Sequence, residues 1–228
     1  MVFSSRIRTL GLPALSARAG FALMALCVVA FTALATDLRL QGPVTRADIP
    51  ISAWFHLHAR PAFTALASAV SQLHSTPGIL LMALAAALAL AYHRQTQWLP
   101  LLALSVPGGL VLNWLVKHAF QRARPAFDPP AATLASYSFP SGHAAGATVW
   151  WGFVLLVWFA WEQRPGRRAA ACVIAITMIL LTGLSRMVLG LHYLSDVLAA
   201  MAEGAAWMVL CVAACQRLPA RSRREHAP

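Results

Sequence analysis

Charge is what this sequence has least of. Only 11% of its 228 residues are Asp, Glu, Lys or Arg, against about 25% in soluble domains, and that shortage excludes an ordinary water-soluble globule. The acidic sign is scarcer still, with 7 Asp and Glu against 18 Lys and Arg. Cysteine is sparse; Cys27, Cys172 and Cys211 fall inside apolar runs and Cys215 at the end of one. They read as small packing residues rather than disulfide partners or ligands. Internal repeats, low-complexity tracts and long linkers are lacking too, so residues 1–228 read as a single domain.

What is present is hydrocarbon. Hydrophobic residues make up 59% of the chain, and apolar runs, uncharged but for Glu203 in the last, lie at Ala19–Ala35, Pro77–Tyr92, Trp98–Val116, Ala144–Trp161, Ala169–Leu184 and Val197–Ala214. Each approaches the ~17–25 residues that cross a ~30 Å hydrocarbon core as a helix. The expectation is an all-α polytopic membrane protein with six transmembrane helices. Ile51–Leu73 is apolar as well, but Arg60-Pro61 divides it and leaves Ala62–Leu73 too short to cross. This stretch is expected as an extra interfacial helix after the first span, with Trp54 and Phe55 on its apolar side.

Six spans put both termini on one side, and basic residues favour the cytoplasmic one. With the termini inside, Arg6, Arg8, Arg18, Arg94, Arg164, Arg167, Arg168, Arg217, Arg221, Arg223 and Arg224 are cytoplasmic. Arg39, Arg46, Arg60, Lys117, Arg122, Arg124 and Arg186 fall outside. Trp98 and Trp161 then mark the inner interface, where aromatic belts sit. The "ALA" at Ala33–Ala35 looks like a signal-peptidase site; the span is read as retained, and either way the residues after it face outward. The net charge of +11 and the tail "RLPARSRREHAP" raise nucleic acid as a partner. Membrane lipids explain the same residues, since juxtamembrane Lys and Arg gain about 1 kcal/mol each near anionic headgroups. No nucleic-acid partner is expected, and 216–228 reads as a basic cytoplasmic tail.

Three polar clusters reach the same outer surface under this topology. Lys117 closes the third span and "HAFQRARP" follows it, placing Arg124 in an outer loop; Ser141, Gly142 and His143 open the fourth span; Arg186 ends the fifth, and His192 and Asp196 open the sixth. Ser141 is a good N-cap, and the free N–H groups behind it form an anion site at the positive end of the helix dipole. Gly142 lets a ligand approach the backbone closely. Lys117, Arg124 and Arg186 add positive charge, two of them as guanidinium forks suited to phosphate oxygens. If the residues after Leu191 are helical, His192 and Asp196 lie on one face, so the carboxylate can hold one imidazole nitrogen and leave the other free. His143 arrives from another helix, leaving either imidazole as nucleophile and the other as proton donor.

"KHAFQRARP", "PSGH" and "SRMVLGLHYLSD" resemble the three-part signature of the PAP2 superfamily, the type 2 phosphatidic acid phosphatases, KxxxxxxRP, PSGH, SRxxxxxHxxxD. The parts span 117–196, and the six-span layout resembles the integral-membrane branch. The resemblance implies a phosphohistidine on His192, oriented by Asp196, with His143 protonating the leaving group and later activating water. It implies that Lys117, Arg124, Ser141, Gly142 and Arg186 hold the phosphoryl oxygens, with no metal or other cofactor. The substrate it implies is a lipid phosphate or diphosphate, such as undecaprenyl diphosphate, phosphatidylglycerophosphate or phosphatidate, met at the periplasmic face of a bacterial inner membrane. A phosphotransferase using the same phosphohistidine, a vanadium haloperoxidase and a non-enzymatic lipid carrier are the rivals. Outside the signature, Glu203 lies deeper on the Asp196 face of the sixth span, with Asn113 as a candidate partner, and Pro107-Gly108-Gly109 reads as a kink or close-packing point.

Overall fold

The computed structural model describes residues 17–127 and 136–217. Among them the regular structure is helical: α1 (Ala17–Arg39), α2 (Pro43–Leu57), α3 (Pro61–Leu73), α4 (Thr76–Tyr92), α5 (Leu99–Phe120), α6 (Gly142–Trp161), α7 (Pro165–Val188) and α8 (Leu194–Arg217). A 3-10 turn, Thr96–Trp98, leads into α5. The basic residues Arg6, Arg8, Arg221, Arg223 and Arg224 lie outside the described residues.

Among the described residues five helices are long and apolar enough to cross a membrane: α1, α5 with its 3-10 turn, α6, α7 and α8. A sixth candidate is composite. α3 and α4 pass the same test only together, bent by 51° at a short break. Ser75 makes that break, because its hydroxyl accepts the Gly78 N–H at 3.2 Å and Pro77 follows inside the first turn of α4. The stretch expected as one interfacial helix is therefore two. α2 starts earlier, at Pro43, and stops at Leu57, while α3 runs from Pro61 to Leu73 and continues through the bend into α4. Asp37 sets where α2 begins, accepting the Thr45 N–H at 2.7 Å and the Thr45 hydroxyl at 2.8 Å.

Away from the polar end, α4, α5, α6 and α8 share a core of Ile79, Leu101, Val106, Val149, Phe153 and Met208. Trp98 joins it with 0% exposure. That corrects its reading as an interface marker: the 3-10 turn tucks the indole inward, whereas Trp161 is exposed as a belt residue should be. The Pro107-Gly108-Gly109 step is a close-packing point. A Cβ on Gly108 would stand 2.6 Å from the Trp207 ring, and the Trp207 indole N–H donates to the Ser105 carbonyl at 2.9 Å. α1 runs unbroken through Ala33–Ala35 and packs against α8, with Ala35 and Leu38 beside Phe139 and Ala199. α5 and α7 end, and α6 and α8 begin, at one end of this bundle.

Candidate active site

The site is assembled from two turns and four helix ends. After α7 the chain reverses within a few residues to start α8, and Gly190 permits this with a φ of 65°, a left-handed conformation that glycine adopts freely. The Gly190 N–H donates to Met187 at 2.9 Å, and the N–H groups of Leu191 and His192 donate to the Arg186 carbonyl at 3.0 and 3.3 Å. The six-residue interval between Arg186 and His192 is thus a closed helix C-terminus. His192 lies in this turn and not in α8, which corrects the expected helical pairing with Asp196. The two meet by another route. Asp196 Oδ2 accepts the Tyr193 N–H at 2.9 Å, the carboxylate half of a capping box, and there stands 3.4 Å from His192 Nδ1.

The second turn precedes α6. The Ser141 N–H donates to the Asp196 carbonyl at 3.0 Å, pinning the start of α6 to the start of α8. Ser141 is the N-cap residue of α6, as expected, but with its backbone held there its side chain makes no capping bond. Its buried hydroxyl has no partner among the described residues. Gly142 does permit a close approach, but of α5: a Cβ would come within 3.1 Å of Asn113 Oδ1 and 3.8 Å of Lys117 Cε. His143, half-buried, is the second residue of α6.

The three cations converge here. Lys117 donates to the carbonyls of Tyr137 and Ser138 at 2.8 and 3.4 Å. Arg124 donates to the carbonyls of Leu191 at 2.7 Å and Ser136 at 2.8 Å. Arg186 donates to the Ser71 hydroxyl of α3, and its buried Nε has no partner among the described residues. Lys117 and Arg186 are only 8% and 3% exposed. Among the described residues none of the three is paired with a carboxylate, so three cations face the pocket without a direct counter-ion.

The imidazole of His192 is fully enclosed, 1% exposed. Arg124 Nη1 lies 3.1 Å from Nε2. A guanidinium can only donate, so Nε2 is the bare nitrogen and Nδ1 carries the hydrogen, facing Asp196. Burial, reinforced by the charges of Lys117 and Arg124, pushes the His192 pKa down to about 3 against the pull of Asp196.

Several members carry no mark in the sequence motifs. The Ser138 hydroxyl donates to Asp196 Oδ2 and lies 3.4 Å from His192 Nδ1. Arg122 pairs with Asp196 at 2.6 Å and with Asp48 of α2 at 2.7 Å. Deeper in the bundle, Asn113 Nδ2 donates to Glu203 Oε2 at 2.8 Å, the pairing expected from their positions.

Residues 97–219, more than half of the chain and inclusive of all three clusters, match the PAP2 superfamily. Phosphatidylglycerophosphatase B of Bacillus subtilis is 29% identical over 165 residues, covering 71% of this chain and 79% of that protein. Lipid A 1-phosphatase of Rhizobium johnstonii is 35% identical over 114 residues, 46% of this chain and 42% of that protein. The crystal structure of a transmembrane PAP2-type phosphatidylglycerolphosphate phosphatase from Bacillus subtilis has the same fold, with a TM-score of 0.71 and 23% identity over 90% of this chain and 98% of that one. The chain belongs to the PAP2 superfamily, as a multi-pass membrane phosphatase.

Proposed function

We propose that this phosphatase removes the terminal phosphate from a lipid phosphate or diphosphate by way of a phosphohistidine on His192. One observation carries the reading: the bare Nε2 of His192 faces Arg124 while Nδ1 faces Asp196, so the nitrogen with the lone pair points at the cations that would hold a phosphate. In the first step Nε2 attacks phosphorus, the bond from phosphorus to the lipid oxygen breaks, and His143 gives its proton to that oxygen. In the second, water attacks the phosphohistidine, His143 takes a proton back, and the P–N bond breaks to release inorganic phosphate. Asp196 orients His192 and compensates the charge that develops on it.

Lys117, Arg124, Arg186 and the amide groups of Gly142 and His143 at the start of α6 hold the equatorial oxygens. The orphaned Ser141 hydroxyl and Arg186 Nε complete that shell. The active site faces the periplasm of a bacterial inner membrane with both termini cytoplasmic, an orientation supported by the bias of basic residues. A pocket at the helix ends can take a headgroup while the acyl or prenyl tail stays in lipid. Phosphatidylglycerophosphate, phosphatidate and undecaprenyl diphosphate all fit this description.

Since protein cations supply the charge stabilisation, phosphate release from these lipids should persist in EDTA and be blocked by orthovanadate. Assaying the purified enzyme on the three lipids with each additive checks this; activity lost in EDTA and restored by a divalent ion contradicts it.

The pH profile follows from His192. A lowered pKa keeps the imidazole neutral, and therefore nucleophilic, well into acid. After correction for ionisation of the substrate, kcat/KM should hold level through pH 6.5, the ordinary histidine value, and decline only below roughly pH 5. An acid limb centred near 6.5 would show that His192 takes up a proton as readily as an exposed histidine.

A further inference from the structure

Asp48 is 1% exposed and Asp196 is 0% exposed, yet they lie within reach of a single guanidinium. Arg122 Nη1 donates to Asp196 Oδ1 at 2.6 Å and to the Ser195 hydroxyl at 2.8 Å, and Nη2 donates to Asp48 Oδ2 at 2.7 Å. The guanidinium also lies over the Tyr193 ring, 4.1 Å from its centre. Asp48 in turn accepts the Ser195 N–H at 3.0 Å as well as the Ser195 hydroxyl. Apart from the Arg122–Asp48 pair itself, these contacts fall on Tyr193 and the first turn of α8, the turn that presents Asp196 to His192.

We propose that Arg122 and Asp48 form a positioning relay for catalysis, in which Arg122 holds Asp196 ionised and aimed at His192, and Asp48 holds Arg122. The inference rests on the reading of His192 as nucleophile. A carboxylate enclosed as completely as Asp196 needs a compensating charge, and a neutral imidazole does not provide one. Arg122 takes Oδ1, which leaves Oδ2 for Ser138, the Tyr193 N–H and His192. Burial opposes the charge on Arg122, but Asp196 and Asp48 outweigh it and hold the guanidinium above its ordinary pKa. With two carboxylates around one guanidinium, the relay carries a net negative charge. It sits behind His192, while Lys117, Arg124 and Arg186 supply positive charge on the substrate side. Neither relay residue is among the groups that would touch phosphate, and Asp48 lies outside the residues 97–219 that match the superfamily. The relay thus gives the N-terminal part of the chain a part in the chemistry.

The test is a mutant cycle on the full-length protein in detergent, with a short-chain phosphatidate as substrate and His192→Ala as control. Arg122→Gln should lower kcat by about 10–100-fold, the range for losing a group that orients an active-site ligand. KM and the vanadate inhibition constant should stay within about twofold, because the phosphate-holding groups are untouched. Adding Arg122→Gln to Asp196→Asn should cost less than about threefold more, since both changes remove one interaction. Asp48→Asn should give a smaller fall in kcat and the same non-additivity with Asp196→Asn, and it serves if Arg122→Gln does not fold. Undiminished kcat in Arg122→Gln, or losses that multiply in the double variant, would overturn the relay. Should His192→Ala turn over like the wild type, the nucleophile reading fails and the relay falls with it.

Discussion

His192→Ala is expected to lose phosphate release by on the order of 10⁶-fold, the size of effect seen when a catalytic nucleophile is removed from a residue set that acts as a unit. The geometry leaves no substitute. Nε2 is the nitrogen facing Arg124, and the other imidazole near the cations, His143, belongs to a different helix and is assigned the opposite proton-transfer role. The variant should still bind vanadate through Lys117, Arg124 and Arg186, though more weakly, because the apical bond from the imidazole is lost. Substrate depletion followed by phosphate assay measures the first expectation, and competition with a fluorescent lipid phosphate measures the second. Turnover within tenfold of the wild type would rule out His192 as nucleophile.

His143→Asn is expected to have the second largest effect, and its size should depend on the leaving group. General acid catalysis contributes about 10²–10⁴-fold, and an alkoxide leaving from a lipid phosphate needs all of it. A nitrophenolate leaves without a proton. Phosphoryl transfer from p-nitrophenyl phosphate to His192 should therefore proceed at near wild-type rate in the variant. The hydrolysis step, which uses His143 as base, then becomes limiting, so nitrophenol should appear as a burst stoichiometric with enzyme, followed by slow turnover. Equal losses on alkyl and nitrophenyl substrates, with no burst, would show that His143 acts only by holding the phosphate.

What could be read from the sequence was whatever depends on local order along the chain. The helical class follows from the apolar runs, and the convergence of Lys117, Arg124, Ser141, Arg186 and His192 follows from counting spans, since alternate ends share a side. Gly190 marks the turn that brings Arg186 and His192 together, because a positive φ at that point favours a residue without a side chain. The parts not legible are those set by contacts between distant segments. Asp48 meets Ser195 across 147 positions and Arg122 across 74, and no periodicity encodes such a meeting. A cue existed in its composition: a lone acidic residue in the apolar stretch before the second span needs a partner, and Arg122 had none assigned. Ser71 and Ser138 offered no cue, since serine is at home in helices and loops alike. Trp98 misled for a different reason. A tryptophan at the end of an apolar run ordinarily sits at the headgroups, and only the 3-10 turn before α5 reveals that the ring points into the core.

The phosphohistidine itself is the species to look for. Wild-type enzyme mixed with p-nitrophenyl phosphate, quenched in alkali within the first turnover and digested for mass spectrometry should carry one phosphoryl group, labile to acid and stable to base, on the peptide containing His192. His143→Asn should carry more of it and His192→Ala none. A phosphoryl group found on another residue, or turnover with no phosphorylated peptide at any quench time in either active form, would contradict nucleophilic attack by His192.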